Sequence, residues 1–472
     1  MATGTLELDD IQGLVVRGYG RLKAARYVLA RIDDPPRARA WLGGLAERVD
    51  NGVSNTGDRA INVALTASGL RALELPDEAL AGFSIEFLDG MTADHRRRLL
   101  GDVDESAPEL WSWGGPAKDR VDLLVCVFAI DDAGVVAEAD ALTAELTDAG
   151  VYVARTLDTV ELASHEHFGF RDGVSQPLIQ ELAPGHEPDS VKAGEFVLGY
   201  PNEYGRLTDR PLVPADVDPD GVLPASSAGS GFRDLGRNGS YLVFRQLSQD
   251  VHEFWEYCER AARRPDGTVD PEARVRLAAK MVGRWPSGAP LALTPDSDRP
   301  DLGQSNDFGY HADDPDGLRC PIGSHVRRTN PRDSLDPNPG SPRSIAVNKR
   351  HRILRRGRKY GVLAPADELL KPSAHAGTEE DAHGLHFICL VGNIARQFEF
   401  VQHTWMNNPR FAGLYDSPDP LMGPATERGR MFSVPTATVR ERYAGIPRVV
   451  TVRGGAYFFL PGIRGLRYLA TL

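Results

Sequence analysis

The chain has 472 residues, 41% of them hydrophobic, and a formal net charge of −12 at pH 7. Such a length supports two domains or one large α+β unit with no need of disulfide staples. The acidic balance argues against a nucleic-acid partner, which would favour a basic patch. Four cysteines, at positions 126, 258, 320 and 389, form no CxxC pair, so neither a disulfide framework nor a zinc ribbon is expected and the compartment reads as reducing. Residues 1–10 are acidic and polar, unlike a signal peptide. No apolar run approaches the ~20 residues of a membrane helix, and the expectation is a cytoplasmic protein that does not engage membranes.

In chain order, residues 26–32 read as a strand, followed by Pro35-Pro36 and a helical stretch towards residue 49. Residues 60–65 read as a second strand, with a short helix from Ala67. Residues 121–130 (VDLLVCVFAI) are the clearest buried strand, long and rich in Val and Leu. Residues 135–149 are helical, Gly150 stops them, and 151–156 begin another strand. A second region repeats the theme with a strand at 240–244, an amphipathic helix at 251–263, a strand at 385–391 and a closing strand at 456–460. Between the last two, residues 393–405 read as a helix with Ile394, Phe398, Val401 and Trp405 on one face.

Strand–helix–strand twice over suggests two split βαβ units of the ferredoxin-like kind, an α+β fold. The division expected is a first domain over 1–205, a linker or loop over 206–238, within the Pro- and Asp-rich stretch 202–237, and a second domain over 239–472. Residues 286–321 and 333–348 read as further long loops, the latter as an insertion; loops of this length often build sites.

Three segments carry chemistry-bearing residues. Gly169-Phe-Arg-Asp172-Gly173, continuing Val174-Ser175-Gln176-Pro177, brackets an acid between glycines, which lets backbone approach a flat ligand, although Asp before Gly is also a common turn. Cys320-Pro-Ile-Gly-Ser-His325-Val-Arg-Arg-Thr-Asn330-Pro331-Arg332-Asp333 sets one His among arginines. A neutral imidazole is a common metal ligand and arginines pair with acidic groups such as porphyrin propionates; a surface His beside solvated charges is the alternative. Residues 350–361 place six Lys and Arg within ten positions, an anion patch or a solvated basic face.

Together, in this order, the three segments resemble those of the dye-decolorising peroxidases. The resemblance extends to Asp10-Ile-Gln-Gly13, to Gly384-Leu-His-Phe-Ile-Cys389 with Arg396-Gln-Phe-Glu-Phe400, and to Tyr457-Phe-Phe-Leu-Pro-Gly462, and so covers most of the chain. It implies a long-chain member with two ferredoxin-like domains of the dimeric α+β barrel type, antiparallel sheets, and haem b in the C-terminal half. It further implies a peroxidase that reduces hydrogen peroxide and oxidises dyes, phenols or other small aromatic donors through a ferryl intermediate. By the resemblance Asp172 is the distal acid, His325 the axial ligand of the haem iron, and Arg355 the distal arginine, with Arg352 its competitor. Gly173, Val174, Ser175, Asn330, Pro331 and Arg332 would line the haem. Glu399 is the expected carboxylate partner of the His325 imidazole, since a ligating His usually donates its other N–H.

Two departures stand out. Gly357 occupies a place where many members carry Ser or Asn, which suggests a roomier distal pocket, and 30 residues separate His325 from Arg355, wider than in compact members. A carboxylate proton shuttle, with an ordinary pKa near ~4, would favour activity at acidic pH. Trp405, Trp255 and Tyr360 are nominal electron relays, with a core role as the commoner case. The rival readings are a haem carrier without turnover, a zinc hydrolase built on His165 with His167 or His383 with His386, and a purely structural role. The physiological reductant, a second metal such as manganese, and the oligomeric state, a homodimer included, are left open.

Overall fold

The computed structural model describes residues 5–53, 57–183, 190–227, 229, 231–365, 368–375, 377, 382–426 and 429–472. Residues 1–4 of the acidic start, and 228 and 230 of the long loop, lie outside these. The first half runs β1 (Ala24–Ile32), α1 (Pro35–Ala46), β2 (Arg59–Leu65), β3 (Leu123–Ala129), α2 (Asp132–Asp148) and β4 (Val151–Asp158). Every residue of β3 is buried, which is why it reads as an unbroken apolar run rather than an alternating one. Capping sets the helix starts. Asp34 accepts from Arg37 N ahead of the Pro35-Pro36 entry to α1, and Asp131 accepts from Gly134 N at the start of α2.

The second half runs β5 (Ser240–Gln249), α3 (Val251–Ala261), α4 (Pro271–Val282), α5 (His325–Thr329), β6 (Leu354–Arg355), β7 (Arg358–Tyr360), β8 (Gly384–Val391) and β9 (Val450–Leu460). Between β8 and β9 lies the helix expected over 393–405. It is present as two stretches of wide turns, Ala395–Glu399 and Val401–Met406, with i→i+5 bonds such as Glu399 N to Ile394 O at 3.0 Å. Periodicity alone anticipated ordinary α turns there. Turns of this width are uncommon and concentrate at functional sites.

All nine strands join one sheet in the order β6-β8-β5-β9-β2-β3-β1-β4, with β7 beside β6 on β8. Each half therefore repeats one arrangement, second strand, third, first, fourth, in antiparallel pairing. In the second half the second strand is broken into β6 and β7. The halves meet through β9 and β2, where Phe459 pairs with Leu65. The stretch 206–238 carries its own short ladder, Leu212–Pro214 against Phe232–Asp234, and buries Val213, Leu223 and Leu235, so it packs as a folded loop. The four cysteines are free and buried. Among the described residues no helix is long and apolar enough to cross a membrane.

Candidate active site

One cavity of about 270 Å³ is enclosed by residues of the second half and the loop that follows β4. A water's share of the liquid is only ~30 Å³, so this space suits a larger occupant. Its apolar wall includes Val282, Val326, Leu385, Phe387, Phe398 and Leu421. Asp172, Gly173, Val174, Ser175, His325, Asn330 and Arg355 all line it, so residues up to 183 positions apart in sequence come together here. Although the Asp172 loop follows the first repeat, it packs on the second, where Arg171 N donates to Pro286 O at 3.0 Å.

Asp172 sits across from the broken edge strand. Arg355, the last residue of β6, donates from Nη1 to Asp172 Oδ1 at 2.9 Å, and Gly173 N donates to the same oxygen at 2.6 Å. Oδ2 has no hydrogen-bond partner among the described residues. Surrounding protein pushes the carboxyl towards its neutral form, but Arg355, the Gly173 N–H and Lys359 outweigh this and hold its pKa below the usual carboxylate value. The Asp172 side chain is nonetheless 45% exposed, the open part being what it presents to the cavity.

His325 opens α5. Its Nδ1 lies 3.0 Å from Asp419 Oδ2, which leaves Nε2 as the ring nitrogen without a protein partner among the described residues. Asp419 is fully buried, with a side-chain exposure of 0%. Burial alone would raise its pKa, but His325, Arg328 and the Met422 N–H together lower it. Its other oxygen accepts from the backbone of Leu421 and Met422, each at 2.9 Å. This carboxylate fixes both the tautomer and the orientation of the ring.

No protein-family model matches the chain. A dye-decolorizing peroxidase of Exidia glandulosa is 30% identical to it over 99% of this chain and 87% of its own length. The chain belongs to the dye-decolorising peroxidase family. The multifunctional dye peroxidase DyP2 of an Amycolatopsis species is 29% identical over 98% of this chain and 96% of its own. The solved structure of a dye-decolorizing peroxidase in complex with 2,6-dimethoxyphenol superposes with a TM-score of 0.77, at 27% identity, covering 98% of this chain and all of its own. The protein is thus a haem peroxidase with the family's α+β ferredoxin-like fold.

The residues fit a haem. An imidazole with one nitrogen anchored and the other unpartnered borders an apolar cavity, as an axial ligand requires. Arg171 and Arg284 lie in the lining; Arg171 is suited to a propionate carboxylate, whereas Arg284 already donates to Gly288 O at 2.7 Å and Ser305 O at 3.0 Å. Arg171 has a buried Nε without a partner among the described residues, and burial lowers the Arg284 pKa to about 10.

Several sequence expectations need correction. Glu399 does not reach His325. Arg96 holds it at 3.0 Å on both oxygens and Tyr457 donates its hydroxyl at 2.8 Å, so the carboxylate is already shared between a guanidinium and a phenol. The dye-decolorising peroxidase instead uses Asp419, 94 residues beyond the histidine. Pro331 and Arg332 are not in the lining; Arg332 donates to Asn306 O at 2.8 Å and Phe308 O at 2.9 Å. Arg327 and Arg328 are likewise buried and donate to carbonyls, among them Cys320 O at 2.8 Å and Gly323 O at 3.1 Å. Arg352 does line the cavity beside Arg355, but Arg355 makes the Asp172 pair.

Gly357 does not widen the pocket. It lies outside the lining, and a Cβ there would come within 2.5 Å of His386 O. Trp255, Trp405 and Tyr360 are all buried. Among the described residues no group of three or more His, Cys, Asp or Glu is placed to hold a metal ion. Sequence reasoning missed Asp419, and it did not single out Arg284 or Glu166, which also line the cavity. Only the helix α4 leading to Arg284 had a local signal, with Asp270-Pro271 at its start and Gly283 at its end.

Proposed function

We propose that His325 holds the haem iron through Nε2, that Asp172 carries the proton during peroxide cleavage, and that Arg355 supplies the positive charge beside it. Hydrogen peroxide is the oxidant, and dyes, phenols and other small aromatic molecules are the donors. The observation that carries this reading is the Arg355–Asp172 pair at 2.9 Å in the same cavity wall as the Asp419-anchored imidazole.

Splitting peroxide unevenly needs a proton moved from one oxygen to the other. Asp172 Oδ2 is the atom suited to accept and return it, because Oδ1 is already committed to Arg355 and Gly173. Arg355 keeps the carboxylate ionised and ready to accept, and offers its charge to the oxygen that leaves. Asp419 stays ionised throughout and keeps the His325 Nδ1 proton directed at itself. The haem, when bound, supplies the electrons that complete cleavage and later recovers them one at a time from the donor. The free, buried cysteines support a reducing, cytoplasmic setting.

The test is the absorption spectrum of the haem-loaded protein beside that of His325→Ala, followed by peroxide-dependent oxidation of a dye. A Soret band altered in the variant, with turnover abolished in Arg355→Ala, is expected. Haem uptake with an unchanged spectrum in His325→Ala would mean a different ligand. Uptake without turnover in the wild type would return the protein to the carrier reading.

A further inference from the structure

The loop that presents Asp172 is a hairpin, closed by Asp172 N to Ser164 O at 3.0 Å and Glu166 N to Phe170 O at 2.9 Å. Inside it lies a second carboxylate. Glu166 Oε2 accepts from Phe168 N at 2.9 Å and Oε1 accepts from Phe170 N at 3.0 Å. Oε2 also accepts from Gln249 Nε2 at 2.9 Å, and Gln249 is the last residue of β5. Three donors, two from the loop and one from the sheet, therefore converge on one side chain. The tip residue Gly169 has φ +89°, a left-handed conformation that gives the tip no preference of its own for this shape.

Glu166 lines the same cavity as Asp172. Burial pushes its pKa up to about 7, and the charge of Asp172 adds to that rise, so the two carboxyls lie within electrostatic reach. Neighbouring carboxyls driven in opposite directions by their surroundings are a recurring way to divide roles between two acids. Phe168 and Phe170 give the loop an apolar footing on α3, against Phe254 at 4.6 Å and Trp255 at 6.3 Å between ring centroids. Those contacts fix the depth of the loop. They do not fix the peptide orientations at its turn, which the carboxylate does.

We propose that Glu166 is a positioning residue for Asp172, a carboxyl staple that ties the hairpin to Gln249 on the sheet and so sets the Asp172–Arg355 pairing. This rests on the reading of Asp172 as the proton carrier. With the staple removed, the hairpin loses three acceptor contacts and Asp172 drifts from Arg355. Displacements of about 1 Å at a reacting group cost up to ~100-fold in rate.

The experiment compares haem-loaded Glu166→Ala and Glu166→Gln, each alone and combined with Asp172→Asn. It reads the rate at which peroxide changes the Soret absorption as a function of pH, and amide hydrogen exchange over residues 165–173. Glu166→Ala should slow the peroxide step ~10-fold or more and move the acid limb of its profile upward, as Asp172 loses Arg355. Exchange at Phe168 and Phe170 should quicken, while donor oxidation keeps its rate. Glu166→Gln, which retains one acceptor oxygen, should fall between Glu166→Ala and wild type. In the Asp172→Asn background neither variant should slow the step further.

A peroxide step within about twofold of wild type with an unmoved acid limb overturns the proposal. So does equal slowing in the Asp172→Asn background, which would mean general damage to the cavity. If Glu166→Ala takes up no haem, Glu166→Gln decides by the same criteria. A wild-type rate in Asp172→Asn alone brings down the proton-carrier reading and this proposal with it. A slow Asp172→Asn beside a normal Glu166→Gln brings down this proposal only.

Discussion

Two aspartates serve one cavity differently, Asp172 from its wall and Asp419 from behind His325. Asp419 is wholly enclosed, and its oxygens are committed to His325 and to the backbone of Leu421 and Met422. Asp172 has one oxygen committed and 45% of its side chain open. Both have pKa values held low by neighbouring cations, yet only one has an atom with which to exchange a proton. The difference teaches that the number of donors already satisfied, more than the direction of a pKa shift, separates a carboxylate that orients from one that reacts.

The comparison breaks most visibly at Asp172. Asp172→Asn should slow the peroxide step by ~10³-fold, in the range for loss of a general acid–base group, with the melting temperature and Soret band close to wild type. Stopped-flow absorption and calorimetry check both halves. Asp419→Ala should do the reverse. It strips the His325 ring of its orienting partner and leaves Arg328 without its nearest charge, so haem affinity should fall ~10–100-fold and stability should drop by about 3 kcal/mol, measured by haem titration and denaturant unfolding.

Smaller effects sharpen the contrast. Gly357→Ala places a Cβ 2.5 Å from His386 O and 3.1 Å from Ile388 N, which should cost ~1–3 kcal/mol. It should disturb Arg355, two residues away on the same edge, while leaving the His325 spectrum intact. The least change is a shift in pH. Because the Asp172 pKa is lowered, its carboxylate persists below the usual value near ~4, so the peroxide rate should hold as pH falls to that point and be lost only beneath it. Any change that loosens the Asp172–Arg355 pair without removing Arg355 should move that limb upward. The stability contributed by the pairing follows the same sign, present above the unfolded pKa and lost as pH falls through the folded one. Glu166, with its pKa raised to about 7, acts oppositely, and its contribution to stability declines as pH rises from its unfolded value towards neutrality.

The strands were legible because burial on both faces writes a continuous apolar run, as at Leu123–Ala129. The candidate site was legible where it is local, in the motifs that bring Asp172, His325 and Arg355 to one cavity, and illegible where it is assembled at a distance. Asp419 comes from a loop 94 residues past the histidine it holds, and nothing in its neighbours marks it. Glu399 was expected because a ligating His usually donates to a carboxylate, but that rule does not say which carboxylate arrives or what reaches it first, and Arg96, 303 residues earlier, is the neighbour that does. The arginines around His325 misled in the same way. Charge density in sequence suggested anion binding, whereas Arg327, Arg328 and Arg332 tie carbonyls together. Much of the second basic run does likewise, with Arg356 on Leu14 O and Arg358 on Lys23 O.

Strand β9 is flanked by β5 on one side and β2 on the other, so the link between the halves is made by the last strand of the second repeat. Until residues 450–460 emerge, the nascent protein exposes two unjoined sheet edges, the liability that chaperones guard in proteins folding during synthesis. Val450, at the start of that strand, also lines the cavity. The haem compartment is therefore completed only once this strand has joined the sheet.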